Sequence, residues 1–125
     1  MQKTVTILQM LARLLGALQI VVGLAMWFGW APRAVPFHSA AGSLLVLVIW
    51  IIAIIALFGL SKRGVALFTL LWGGVVLWFG MAQTTLLPGT LHWSIRLVHL
   101  LVGLALLGLG ERLSKAVKLH WAVKA

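Results

Sequence analysis

The stretch that decides the fold is FHSAAGSLLVLVIWIIAIIALFGL, residues 37–60, which carries no charged side chain over 24 positions. Crossing the hydrocarbon core of a bilayer takes ~20 apolar residues in a helix, so this segment is long enough to span it. Because the core holds no water, every backbone N–H and C=O must find its partner within the segment, and a helix provides that partner. The alternation of a membrane β-barrel is missing. The segment therefore predicts a membrane-spanning helix.

Three further apolar stretches have the same character. Residues 14–31 and 64–87 contain no charge, and residues 91–110 are interrupted only by two histidines and one arginine. We therefore predict an all-α fold, an integral membrane four-helix bundle occupying residues 1–110. Its helices are expected at about residues 5–30, 37–60, 65–82 and 91–110.

Composition excludes several classes of chemistry. The chain has no cysteine, which excludes disulfides, iron–sulfur clusters and thiolate metal sites. Aspartate is absent, so no Ser/His/Asp triad can form, and the single acid, Glu111, lies outside the apolar stretches. Proton or cation transport through the usual carboxylate relay is therefore not expected.

The basic residues report topology rather than nucleic-acid binding. Eight of them share one side of a pair of helical hairpins: Lys3, Arg13, Lys62, Arg63, Arg112, Lys115, Lys118 and Lys124. Arg33 lies in a loop on the opposite side. The positive-inside rule then predicts a multi-pass protein of the bacterial inner membrane with both termini cytoplasmic. Attraction to anionic lipid headgroups is a second consequence.

Two patterns bear on organisation. GLAMWFGWA, residues 23–31, and GVVLWFGMA, residues 74–82, agree at five of nine positions, which predicts two duplicated helical hairpins. After Gly110 the composition changes: lysines separate apolar residues at helical spacing in residues 111–125. That tail is predicted to be a basic amphipathic helix on the cytoplasmic surface.

The chemistry lies in a few polar residues of the apolar stretches. His92, Arg96, His99 and Gly103 share one face of the fourth helix, and His38 lies in the second. Ionisable residues within a span usually face the bundle interior or a cavity. Imidazole is a good ligand for haem iron and for divalent metals, so these histidines are candidate iron ligands.

A haem also needs flat space and a cation. Gly42 follows His38 by one helical turn, and Gly103 follows His99 in the same way. Missing side chains at these positions would let a planar macrocycle lie close to the backbone, and Arg96 could neutralise a propionate. The expected cofactor is haem b, held by histidines of helices 2 and 4.

Four short helices with histidines on facing spans resemble the small bacterial membrane b-type cytochromes of the cytochrome b561-like kind. The resemblance implies electron transfer with a quinone or an external donor, as a small subunit of a respiratory or photosynthetic complex or as a homo-oligomer. That family usually carries two haems near opposite membrane faces. This chain has no histidine in the inner half of a span, so a single bis-histidine site is expected.

The pairing of the histidines is open at this point. Measured from Ser61 and Glu111 at ~1.5 Å per residue, His38 lies ~34 Å, His92 ~28 Å and His99 ~18 Å above the inner ends. Similar depth therefore favours His92 as the partner of His38, whereas the shared spacing from histidine to glycine favours His99.

Other functions also remain open. Bacteriochlorophyll could replace haem, and a bare metal or small polar ligand could occupy the histidines. The histidines could instead bond tryptophans or threonines of neighbouring helices, as in a non-catalytic accessory or assembly subunit. An anion transporter with a cavity lined by Arg96 is the last alternative.

Overall fold

The structure, a computed structural model, describes residues 1–60 and 63–123, and within them it contains four α-helices and no strand. They are α1 (Gln2–Trp27), α2 (Val35–Gly59), α3 (Gly64–Ala82) and α4 (His92–Val123), with a short 3₁₀ turn at Pro32–Ala34. Each is long and apolar enough to cross a membrane. The all-α four-helix prediction is confirmed, while Lys62 and Lys124 lie outside the described residues.

The four helices pack with α2 and α4 at the centre. Each of these two contacts all three other helices, whereas α1 and α3 lie on opposite flanks and do not touch each other within the described residues. The core forms along the central pair, where Val46, Ile49 and Ile52 of α2 and Leu106 of α4 are fully buried. Residues of α2 and α4 are therefore the ones that meet inside the bundle.

α4 does not end near Gly110, which differs from the sequence-based expectation of a separate surface helix from residue 111. The helix continues without a break to Val123. Leu113 and Val117 repeat the apolar spacing set by Leu106 and Gly110, so the same face of α4 stays buried, and Val5 of α1 belongs to the same cluster. The apolar residues of this amphipathic segment pack in the same cluster as Val5 of α1.

A polar network joins α1 to this part of α4. Arg13 donates to Glu111 through Nε and Nη2 at 2.6 and 2.9 Å. The buried Gln9 donates to the same carboxylate at 2.7 Å, and its own carbonyl oxygen accepts from Lys118 Nζ at 2.6 Å. The single acid of the chain thus fixes the register between α1 and α4.

We expect Glu111→Ala to destabilise the bundle. The substitution leaves the buried amide of Gln9 without its acceptor, which costs about 1–3 kcal/mol. Unfolding of the purified protein in mixed micelles, followed by circular dichroism, measures the change. The matched control is Arg112→Ala, because Arg112 is the exposed neighbour of Glu111 on the same helix. Equal effects of the two substitutions would contradict a specific role for the network.

Candidate functional site

Two histidines meet at the end of the bundle opposite the polar network. His38 is the fourth residue of α2 and His99 the eighth of α4. Their ring centres lie 6.4 Å apart, with the ring planes inclined at 56°. Both side chains are half-buried. Of the two pairings that the sequence left open, the structure brings His38 together with His99.

The register between the central helices explains this pairing. α2 and α4 run parallel, and Ile49 and Gly110 each lie eleven residues after His38 and His99. These two positions also touch, since a Cβ atom on Gly110 would lie 3.2 Å from Ile49 Cγ1. Equal spacing along parallel helices places the two histidines at one level.

Pairing His38 with His92 by depth was wrong, because the inner end of helix 4 does not lie at Glu111. In the structure the last residue of α2, Gly59, is level with Trp121, as a Cβ on Gly59 would lie 3.6 Å from Trp121 Nε1. At ~1.5 Å per residue, His38 lies ~32 Å from Gly59 and His99 ~33 Å from Trp121. Measured from Gly59 and Trp121, His38 and His99 lie at nearly the same depth.

Each histidine packs against a glycine of a flanking helix. A Cβ on Gly23 of α1 would lie 3.2 Å from His38 Cε1, and a Cβ on Gly80 of α3 would lie 3.4 Å from His99 Cε1. Phe79 stacks on His99 with ring centres 5.9 Å apart and planes inclined at 11°. Both glycines belong to the repeat, and Gly23 also offers a small surface for helix packing, but nothing in the sequence indicates that they lie against the histidines.

Gly23 and Gly80 are not equivalent positions of that repeat. Gly23 aligns with Gly74, and Gly80 aligns with Gly29. The similar contacts of Gly23 and Gly80 therefore give no support to a duplication, and the duplicated hairpins stay a prediction.

The ring nitrogens of the pair have no protein partner. Neither His38 nor His99 makes a hydrogen bond through its side chain to a residue that the structure describes, and Nδ1 of each ring is buried. The deep tryptophans do not serve them. Trp50 Nε1 donates to the carbonyl of Leu70 at 3.0 Å, and Trp72 Nε1 donates to that of Val102 at 3.1 Å. Polar packing through these indoles does not account for the histidines.

The other histidine and the arginine lie outside the pair. His92 Nδ1 is 3.3 Å from the carbonyl oxygen of Leu86, in the loop before α4. Arg96 is exposed and makes no ion pair with a described residue. The structure therefore separates two predicted site residues, His92 and Arg96, from the two that meet.

Gly42 and Gly103, the two glycines predicted to leave space for a macrocycle, have different surroundings. The space over Gly42 is filled, because a Cβ there would lie 3.3 Å from Gln19 Oε1. Gln19 also donates from Nε2 to the backbone carbonyl of His38 at 2.9 Å. Over Gly103 the space is open, with no atom within 4 Å of a Cβ at that position. The space at this level is therefore open over Gly103 and closed over Gly42.

The distance between the two ring centres can be compared with that between two imidazoles bound to one metal ion. With a metal–nitrogen bond of ~2.0–2.1 Å, two imidazoles on opposite sides of an ion have ring centres ~6.3 Å apart, against ~5 Å in a tetrahedral site. The distance of 6.4 Å is close to the first value. The Cε1 atom, which lies between the two nitrogens of each ring, faces Gly23 of α1 in His38 and Gly80 of α3 in His99, so each ring turns that edge toward a flanking helix. No group of three histidine or acidic side chains that could hold an ion occurs among the described residues. The pair thus offers two imidazole side chains as potential donors.

Comparisons with protein-family models, with curated proteins and with solved structures give no match for this chain. The resemblance to cytochrome b561-like proteins accordingly rests on the four helices and the histidines alone. What the site can do follows from its own residues.

Proposed function

We propose that this chain is a membrane-embedded b-type haem protein of electron transfer, with His38 and His99 as the axial ligands of the iron. The observation that carries the proposal is the pair of unpartnered imidazoles, contributed by the two central helices with ring centres 6.4 Å apart. Leaving a buried polar group without a partner costs about 1–3 kcal/mol, so two such groups side by side favour a ligand that both can bind.

A haem in this place supplies reversible one-electron transfer at iron. The protein residues bind and orient it. Phe79 fixes the plane of the His99 ring by stacking, and the hydrogen bond from Gln19 fixes the backbone that carries His38. Gly23 and Gly80 let both rings settle against the flanking helices. Groups that hold a ligand in one geometry tune both its affinity and its potential.

Gly103 would leave room for a haem beside the pair, whereas Gln19 occupies the space over Gly42. Arg96 lies one turn before His99 on α4 and is exposed, which suits a cation that pairs with a propionate at the surface. We therefore retain Arg96 and Gly103 in the site and exclude His92 and Gly42 from direct contact with the haem.

The proposed setting is the bacterial inner membrane, with both termini cytoplasmic, which places the histidine pair toward the outer face. One haem near one face cannot carry an electron across the bilayer alone. The chain would then exchange electrons with a quinone or work within a larger respiratory or photosynthetic complex, where a neighbouring centre continues the path.

An absorption spectrum of the purified protein, made in haem-replete cells, tests the proposal. We expect a sharp Soret band, a reduced α-band typical of six-coordinate haem b, and a single haem per chain. Red or near-infrared bands would instead indicate bacteriochlorophyll. A spectrum of tryptophan alone, unchanged after titration with haemin, would overturn the proposal and favour the accessory or transporter alternatives.

A further inference from the structure

A groove lies between the start of α1 and the end of α4, far from the histidine pair. Its volume is about 510 Å³, and it is lined by Gln2, Thr6, Lys115, Lys118, Leu119 and Ala122. A second depression of about 400 Å³ shares Gln2 and Thr6 and extends to Lys3 and Ile7. Ammonium, amide and hydroxyl groups thus surround a groove whose remaining lining is aliphatic.

The positive charge at this groove is only partly compensated, by Glu111 one turn before Lys115. Glu111 is the only acidic residue of the chain, and Arg13 and Gln9 already occupy both of its oxygens. Lys118 donates to the neutral amide of Gln9, which leaves its positive charge in place. Lys115 lines the groove one turn earlier on α4. Two lysines beside one cleft favour an anionic occupant.

The position of the groove fits the headgroup level of a bilayer. α4 has 32 residues, or ~48 Å at 1.5 Å each, whereas the hydrocarbon core is ~30 Å thick. Trp121 of α4 lies level with Gly59, the last residue of α2, since a Cβ on Gly59 would lie 3.6 Å from Trp121 Nε1. The groove, whose lining on α4 ends at Ala122, therefore lies at the end of the bundle, where spanning helices leave the core. From the second depression an apolar strip runs along α1 toward the middle of the bundle: Ile7, Met10 and Leu14 are 66%, 63% and 67% exposed.

We propose that this groove binds the headgroup of an anionic phospholipid. Lys115 and Lys118 face the phosphate, and an acyl chain lies along Ile7, Met10 and Leu14. Gln2 has one Nε2 hydrogen left for the headgroup, because the other donates to the carbonyl of Lys118. A phospholipid has an anionic head, which matches the lysines, and an apolar tail, which matches the apolar strip of α1. A free anion or a soluble acidic peptide would match only the lysines. The site is independent of the haem proposal, because no residue is shared.

Titration of the purified, delipidated protein with dioleoyl phosphatidylglycerol and with dioleoyl phosphatidylcholine, followed by native mass spectrometry, tests the proposal. A basic residue near an anionic surface contributes about fivefold in affinity, so we expect phosphatidylglycerol to bind at least about tenfold more tightly. Lys115→Gln should weaken that binding about fivefold. The matched control Arg112→Gln removes the same charge from the same helix outside the groove and should change affinity less than about twofold.

A second pair of variants tests the shape of the groove without changing its charge. Ala122→Trp fills the groove without changing the charge and should abolish the preference for phosphatidylglycerol. Val123→Trp adds the same ring at an exposed neighbour and should preserve it. Equal binding of the two lipids, equal losses in Lys115→Gln and Arg112→Gln, or full competition by millimolar inorganic phosphate would each overturn the proposal. Competition by phosphate would assign the groove to a free anion.

Discussion

If haem is bound as proposed, we expect His99→Ala to remove it and His92→Ala to leave it in place. The two residues lie on the same helix, but only His99 approaches His38, with ring centres 6.4 Å apart. Loss of an outer-sphere partner already costs ten- to a hundredfold in metal affinity, so loss of a ligand should lower the haem content by at least about tenfold. The ratio of Soret absorbance to protein concentration measures the effect, and His38→Ala should match His99→Ala.

His99→Asn distinguishes ligation from packing. Asparagine keeps a hydrogen-bonding side chain in the bundle but binds iron poorly, so it should fail as alanine does while circular dichroism shows a folded protein. Haem retained in both His99 variants would remove His99 from the site. Haem lost equally in His92→Ala would restore the His38–His92 pairing that helix depth had suggested.

The histidine pair shows which part of a site a sequence can specify. The histidines could be identified from the sequence, because an ionisable side chain within an apolar stretch is costly. Their pairing could not, because it depended on where α4 ends. Gly110 and Glu111 look like a boundary by composition, yet packing of Leu113 and Val117 against α1 carries the helix on to Val123. Because the end of α4 was misplaced, His92 rather than His99 matched His38 in depth.

The glycines show a related limit. Spacing along a single helix suggested Gly42 and Gly103 as the open positions. The contacts that seat the histidines come from Gly23 and Gly80 on the flanking helices. Such contacts depend on the rotation of one helix against another, and the apolar faces of these helices carry little periodic pattern to indicate it. The sequence predicted the four helices because length and polarity suffice for them.

Gly73→Ala should destabilise the bundle strongly, while Gly74→Ala should not. Trp50 of α2 lies against the backbone of α3 at Gly73, and its Nε1 donates to the carbonyl of Leu70 at 3.0 Å. A Cβ on Gly73 would collide with the indole nitrogen, and it would also lie 3.0 Å from Cδ1 and Cε2. Because the indole is rigid, it must move as a whole and give up its hydrogen bond. Overpacking costs about 1–3 kcal/mol and the lost bond about 0.5–1.5 kcal/mol.

Gly74 provides the matched control, since a Cβ there meets no atom within 4 Å. Both substitutions bring the same gain in helix propensity, about 1 kcal/mol, so their difference reports the collision alone. We expect Gly73→Ala to unfold about 2–4 kcal/mol more readily than Gly74→Ala in mixed micelles followed by circular dichroism. Adding Trp50→Phe to Gly73→Ala should recover part of the loss, because the smaller ring vacates the space that the new methyl group needs. Equal stabilities of the two alanine variants would show that α2 and α3 pack more loosely at this level than the Trp50 contact requires.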